Sequence, residues 1–197
     1  IQNPGIYHRK IGDVLVTAIS DGFIDAPYSV LQNIQEKEAE HILEASFQIT
    51  PPRISVNCYL IQSAGKVAII DTGSGDTMGK TLGKMPSSLD LINMRPDEID
   101  SVLLTHMHPD HSNGLLDVTG NRFFENAELV VSERDVAHWH DDAAMSVVNE
   151  SQRKRYFEEA RKQISPYMDR RKNALGEILP GVRAIDLSGH TPGHTGY

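Results

Sequence analysis

Apolar residues recur along this chain with two periods, and the periods divide it into strands and helices. "DVLVTAIS" (13–20) alternates and predicts a strand, closed by Asp21-Gly22 as a turn. "QEKEAEHILEASF" (35–47) carries Ala39, Ile42, Leu43 and Phe47 at helical spacing, with acids in its first turn. Pro51-Pro52 breaks the chain. Two β-rich runs, "ISVNCYLIQ" and "KVAIID", then flank Ser63-Ala64-Gly65, which predicts a hairpin with a short glycine-containing loop. The second run ends in the small-residue loop "DTGSGD" (71–76). A mixed helical segment follows, and "RPDEI" (95–99) places Pro96 as a first-turn proline. "SVLLT" (101–105) and "AELVVS" (127–132) read as further strands. Ser132, with Asp135 three residues on, has the pattern of a capping box for a helix carrying Trp139. A long polar helix is predicted over about 149–172, broken at Ser165-Pro166. "GVRAIDLSGHTPGHTGY" (181–197) is a strand that opens into a histidine-bearing loop. Strands and helices intermix throughout, so the class is α/β or α+β.

Composition narrows the options. The 197 residues fit one domain, 1–197, and 39% hydrophobic with 23% charged residues is ordinary for a globular chain that buries a core. No apolar run approaches the roughly 20 residues of a membrane span, and no basic-then-apolar leader opens the chain. The first residue is Ile1 rather than Met, so the chain is expected to be processed, trimmed or partial. The lone Cys58 excludes an intrachain disulfide. A formal charge of −8 disfavours nucleic acid, which would want a basic face. The one basic stretch, "SQRKRYFEEARKQ" (151–163), is interrupted by Glu158 and Glu159 and reads as an exposed salt-bridged helix. The expected partner is a small-molecule substrate, with no nucleic acid and no membrane; a homodimer is left open. A cytoplasmic location is expected, or a periplasmic one if a signal peptide has been removed.

The chemistry concentrates in "THMHPDHSNG" (105–114), where His106, His108, Asp110 and His111 follow a buried-type strand directly. In extended backbone His106 and His108 point to the same side and can reach one ion. Pro109 keeps His108 non-helical and bends the path, so Asp110 and His111 can face a neighbouring position. Imidazole with carboxylate suits Zn²⁺, with Mn²⁺ and Fe²⁺ as alternatives, and the lack of thiolates argues against a closed structural zinc. A coincidental surface loop would explain neither the spacing, nor the strand leading in, nor the second histidine loop.

"HMHPDH" is similar to the H-x-H-x-D-H signature of the metallo-β-lactamase superfamily. "VAIIDTGSG" and "SGHTPGHT" resemble two further motifs of that family in the same order. Within it, "VTAISDGFID", "SVNCYLI" and "GHTPGHT" look like the methyl-parathion-hydrolase-like branch, beside the lactone-opening hydrolases. The resemblance implies an αββα sandwich, with two mixed β-sheets flanked by helices. It implies that His106, His108 and His190 bind a first metal, that Asp110 and His111 bind a second, and that Asp110 serves catalysis. Asp71 would orient the metal loop without ligating. The family also has a bridging aspartate and a last histidine further along. This sequence ends at Tyr197, so the C-terminal part of the fold is expected to be missing from this chain and the natural protein to continue.

The remaining histidines fit other roles. His194 follows Pro192-Gly193, which forbids a helical pair with His190, so at most it supports the ligands. His138 and His140 flank Trp139 on a helix and read as surface residues. His41 lies among glutamates, and His8 near a terminus. Cys58, inside a β-run, reads as a small buried residue. Trp139 is either core or the wall of an apolar substrate pocket. "DTGSGD" lacks the order of a nucleotide-binding loop.

The resemblance implies a dinuclear zinc hydrolase that attacks a lactone, ester or phosphotriester through a metal-bound hydroxide. The alternatives are an iron-dependent persulfide dioxygenase of the same superfamily and a non-catalytic member. His108 argues against the diiron reductases, which usually carry glutamate there.

Overall fold

The computed structural model describes residues 5–197. β1 (Ile6–Ile11) and β2 (Val14–Asp25) pair antiparallel across a turn at Gly12-Asp13. The alternation of 13–20 holds as strand, but Asp21-Gly22 does not turn the chain. These residues form a β-bulge inside β2, where its pairing with β3 (Arg53–Ser63) slips between Ser20 and Gly22. The bulge re-aims a side chain, and Asp21 becomes fully buried. Gly22 takes φ +127°, and a Cβ there would lie 1.9 Å from the Thr81 carbonyl oxygen, so glycine is required at this crossing.

Between β2 and β3, α1 (Glu36–Ala45) forms close to its predicted bounds. Its apolar stripe does not enter the core, however. Only Ala39 is buried, and Phe47, past the helix end at φ 55°, is 98% exposed. β3 and β4 (Lys66–Ile70) form the expected hairpin. Its loop residues Ala64 and Gly65 both take positive φ, as a two-residue hairpin turn requires.

Beyond β4 the sheet changes direction. β5 (Ser101–Leu103), β6 (Glu128–Val131) and β7 (Arg171–Asn173) add in parallel, which gives one mixed seven-stranded sheet in sequence order. Parallel neighbours need crossovers. They contain α2 (Met85–Leu91), the single turn α3 (Pro109–Ser112), then α4 (Glu133–Trp139) and α5 (Asp142–Ser146).

The predicted helix over 149–172 is shorter and irregular. Asn149 and Gln152 cap α6 (Glu150–Gln152), a π-helical stretch covers Arg153–Glu158, and α7 (Glu159–Ile164) follows. Pro166, which has no N–H to donate, falls in a 3-10 turn (Ser165–Arg170), after which Arg171 pairs with Leu129 in the sheet. The basic stretch is laced by ion pairs such as Lys154–Glu150 at 2.6 Å and Arg153–Glu158 at 3.1 Å.

A second, antiparallel sheet holds β8 (Gly176–Leu179), β9 (Val182–Asp186) and β10 (Thr195–Gly196), ordered β10-β9-β8. The alternation along β5 and β6 separates two cores. Val102, Leu104, Leu129 and Val131 pack with Met85, Leu89, Trp139, Phe157 and Ile164 on the helical side. Leu103 and Val130 face the other way, toward Leu179 and Val182 of the second sheet. The fold is therefore α/β, two sheets flanked by helices. None of the helices is long and apolar enough to cross a membrane among the described residues.

Candidate metal centre

β4 and β5 end side by side, Ile70 opposite Leu103, and each releases a loop at that edge. The C-terminal edge of parallel strands is where α/β folds expose backbone for chemistry. Asp71 turns the first loop at φ 59°, a left-handed conformation that aspartate tolerates better than most residues. Its buried carboxylate accepts hydrogen bonds from Thr105 N–H (2.8 Å) and the Thr105 hydroxyl (2.9 Å), and it contacts His111 Nδ1 at 2.7 Å. Asp71 thus joins the end of β5 to the helical turn that carries His111.

The "DTGSGD" loop is braced from below. Asp21, delivered by the bulge, accepts from Ser74 N–H (3.0 Å), the Ser74 hydroxyl (3.1 Å), Gly83 N–H (3.1 Å) and Met85 N–H (2.9 Å). The loop's other face lies on the metal loop: a Cβ on Gly114 would sit 2.0 Å from the Thr72 carbonyl oxygen. The Ser74 and Gly83 amides are already engaged, so they do not form a phosphate cradle.

His106 and His108 extend from β5. His108 keeps extended backbone (ψ 154°), and Pro109 opens α3 as its first residue. The following turn sets Asp110 Oδ2 3.2 Å from His111 Nε2. His190 arrives from the loop between β9 and β10. His108 Nδ1 lies 3.0 Å from both His106 Nε2 and His190 Nε2, and one nitrogen of each of the three residues falls within 4.8 Å of the others.

The electrostatics of His106 and His108 favour uncharged rings. Burial, reinforced by the surrounding imidazoles, drives the His106 pKa far below its ordinary value. Burial and the neighbouring His190 bring His108 down to about 4. Neutral imidazoles whose nitrogens converge are the donor set that a divalent zinc-type ion takes, and ligation requires this deprotonated form. The residues present therefore fit such an ion. His111 behaves oppositely. Burial opposes its charge, but hydrogen bonds with Asp110 and Asp71 and their charges outweigh burial and lift it to about 10. For Asp110 burial acts upward, yet the His111 contact prevails and holds it below the usual carboxylate range.

The other expected residues are placed as follows. His194 stacks on His106, ring centroids 4.6 Å apart and planes 22° from parallel, outside the converging trio. Trp139 is 5% exposed within the helical-side core, its ring edge-on to His108 at 5.4 Å. His41 and His140 are exposed, and Cys58 is fully buried with its thiol pushed up by that burial.

Three residues of the site region escaped the sequence reading. Asp21 was hidden in a turn-like dipeptide. Tyr156, half-buried with its ring 5.3 Å from His108, carried no local signal. Asp135 was read as part of a capping box. Ser132 does cap α4, accepting from Arg134 N–H, but the Asp135 carboxylate turns inward to Met107 N–H (2.8 Å) instead of back to the helix start. A cleft of about 600 Å³ opens beside the metal loop, bordered by Ile24, Met78, Pro109, Asn113 and Arg155.

Two sheets flanked by helices, with a histidine loop at the edge of the parallel strands, define the class. The chain belongs to the metallo-beta-lactamase superfamily, whose family description matches residues 51–197. A solved hydrolase of the beta-lactamase superfamily, AbOPH, is 30% identical, with a TM-score of 0.88 over 99% of this chain and 69% of its own. AidC, a dizinc quorum-quenching lactonase solved with a homoserine product, shares the fold at 23% identity and TM-score 0.84, covering 97% of this chain and 69% of its own. An N-acyl homoserine lactonase of Bacillus thuringiensis is 25% identical over 170 residues, 74% of this chain. The chain spans 60% of the length of that curated relative.

Proposed function

We propose that this chain carries the metal-binding part of a hydrolase that opens a lactone or another neutral ester, with a phosphotriester as the next candidate, using two zinc ions. The observation that carries the reading is the meeting of His106 Nε2, His108 Nδ1 and His190 Nε2, brought together from two loops. In this reading these three hold one ion, while Asp110 and His111 hold part of a neighbouring position. When bound, such ions supply Lewis acidity and an activated water near neutral pH.

The chain's own residues do the positioning. Asp71 bonds His111 Nδ1 and so leaves Nε2, now paired with Asp110, as the ligand atom. Asp110 is the assigned carboxylate for accepting a proton during turnover. The net charge of −8 suits a neutral substrate better than a polyanion. The lactonase among the relatives supports the substrate class, and the hydrolase AbOPH supports hydrolysis. Trp139 is too buried to offer more than its edge, so the half-buried Tyr156 is the aromatic assigned to the substrate side of His108. The Ile24–Met78 cleft would take the unreactive tail.

The test is steady-state kinetics of the full-length, zinc-loaded protein on matched lactones with short and long acyl tails, a simple ester and a phosphotriester. Lactone turnover that responds to tail length is expected. Turnover of none of these substrates would remove the hydrolase reading and leave the iron-dependent persulfide-dioxygenase class in its place.

A further inference from the structure

The two histidine loops lie far apart in sequence, yet one buried side chain touches both. Asp135 is fully buried at the start of α4. One carboxylate oxygen accepts from Met107 N–H at 2.8 Å, the peptide between His106 and His108. The other accepts from Gly193 N–H at 3.2 Å, in the loop between His190 and His194. The first oxygen also receives the Trp139 indole N–H at 3.2 Å, and that ring stands edge-on to His108.

The contact is tight on the second side. A Cβ on Gly193 would lie 2.3 Å from Asp135 N and 2.7 Å from both Asp135 Cβ and Ser132 Oγ. Gly193 is therefore needed for close approach of the loop to α4. A carboxylate is acceptor-only and can serve donors at both oxygens. An amide in its place presents one NH₂ group, which must face an N–H donor whichever way it turns. Helix capping does not explain Asp135, because Ser132 performs that task. Nor is Asp135 the sole anchor of the second loop, since Thr195 N–H bonds Thr105 O at 2.8 Å and Leu187 N–H bonds His194 O at 2.9 Å.

We propose that Asp135 is a positioning residue that sets the two histidine loops in register, and through them the affinity of the His106–His108–His190 position for its ion. The proposal rests on the metal-site reading above. Partners that orient metal ligands typically change affinity by about 10–100-fold when removed.

The experiment is a competition titration of full-length, metal-free protein with zinc against a chromophoric chelator, together with thermal unfolding of the metal-free form. Asp135→Asn is expected to weaken binding of the tighter ion by about 10–100-fold. Asp141→Ala serves as a stability control, because it removes the α5 cap (Asp141 accepts from Ala143 N–H at 2.8 Å) without touching either histidine loop. That variant should lower thermal stability and leave zinc affinity unchanged. Gly193→Ala keeps the carboxylate but pushes the second loop away from it, and should weaken zinc in the same direction even if Asp135→Asn fails to fold. Wild-type affinity in both Asp135→Asn and Gly193→Ala would overturn the positioning role while leaving the metal site intact. Affinity that simply tracks thermal stability across all three variants would also overturn it. Absence of zinc binding by the unaltered protein would remove the metal-site reading itself, and this proposal with it.

Discussion

Replacing Asp71 by asparagine isolates the charge at the joint between β5 and the His111 turn. Asparagine is the cleaner choice because it tolerates the φ of 59° at this position, whereas alanine would add about 1–2 kcal/mol of left-handed strain. Asp71 takes three close contacts: Thr105 N–H at 2.8 Å, the Thr105 hydroxyl at 2.9 Å and His111 Nδ1 at 2.7 Å. Hydrogen bonds to a charged group contribute about 1.5–3 kcal/mol each, against about 1 for neutral pairs. The amide keeps one acceptor oxygen and turns an NH₂ toward donors, so one contact is lost and the others fall to neutral strength. The expected loss is about 2.5 kcal/mol or more of stability in the metal-free protein. Zinc affinity at the His111 position should drop by roughly 10–100-fold, since His111 loses the partner that fixes its ring. Urea denaturation and a zinc competition titration read the two quantities separately. A variant that matched the wild type in both would refute the role given to Asp71.

Two further outcomes follow from the same geometry. Asp21→Asn should destabilise the protein by about 2–4 kcal/mol, because a buried acceptor of four contacts becomes part donor; a urea midpoint unchanged from wild type would contradict the bracing of the "DTGSGD" loop. His111, raised from 6.5 to about 10, is protonated at pH 7 in the metal-free protein, so its contribution to stability is present below pH 6.5 and is lost as pH rises through about 10. Binding of the second ion should accordingly release about one proton near pH 7, visible as a buffer-dependent calorimetric enthalpy, and no buffer dependence would contradict the Asp71–His111–Asp110 arrangement.

Local spacing was legible in the sequence where chemistry and local geometry coincide. His106, His108, Asp110 and His111 lie on a short loop behind a fully buried strand, so spacing alone brings them close. His190 was legible only through the family resemblance, because nothing local says which loop meets which. Asp21-Gly22 misled because an Asp-Gly pair reads as a turn, while the bulge depends on pairing with β3, which is a long-range fact. Asp135 misled similarly: the capping pattern was present, but tertiary contacts to Met107 and Gly193 captured its side chain. Phe47 had helical spacing, yet the helix ended before it. The π-helical stretch at Arg153–Glu158 has no periodic signature that separates it from an ordinary polar helix.

The central claim is that three histidines from two loops hold one ion. Elemental analysis of full-length wild type and His106→Ala, purified from medium with added zinc, tests it most directly. His106 is 2% exposed and its Nε2 lies 3.0 Å from His108 Nδ1, so alanine leaves too few donors at that position. The account predicts about two zinc ions per wild-type chain and loss of the ion held at the His106 position in the variant. Equal zinc content and equal activity in the two proteins would contradict it.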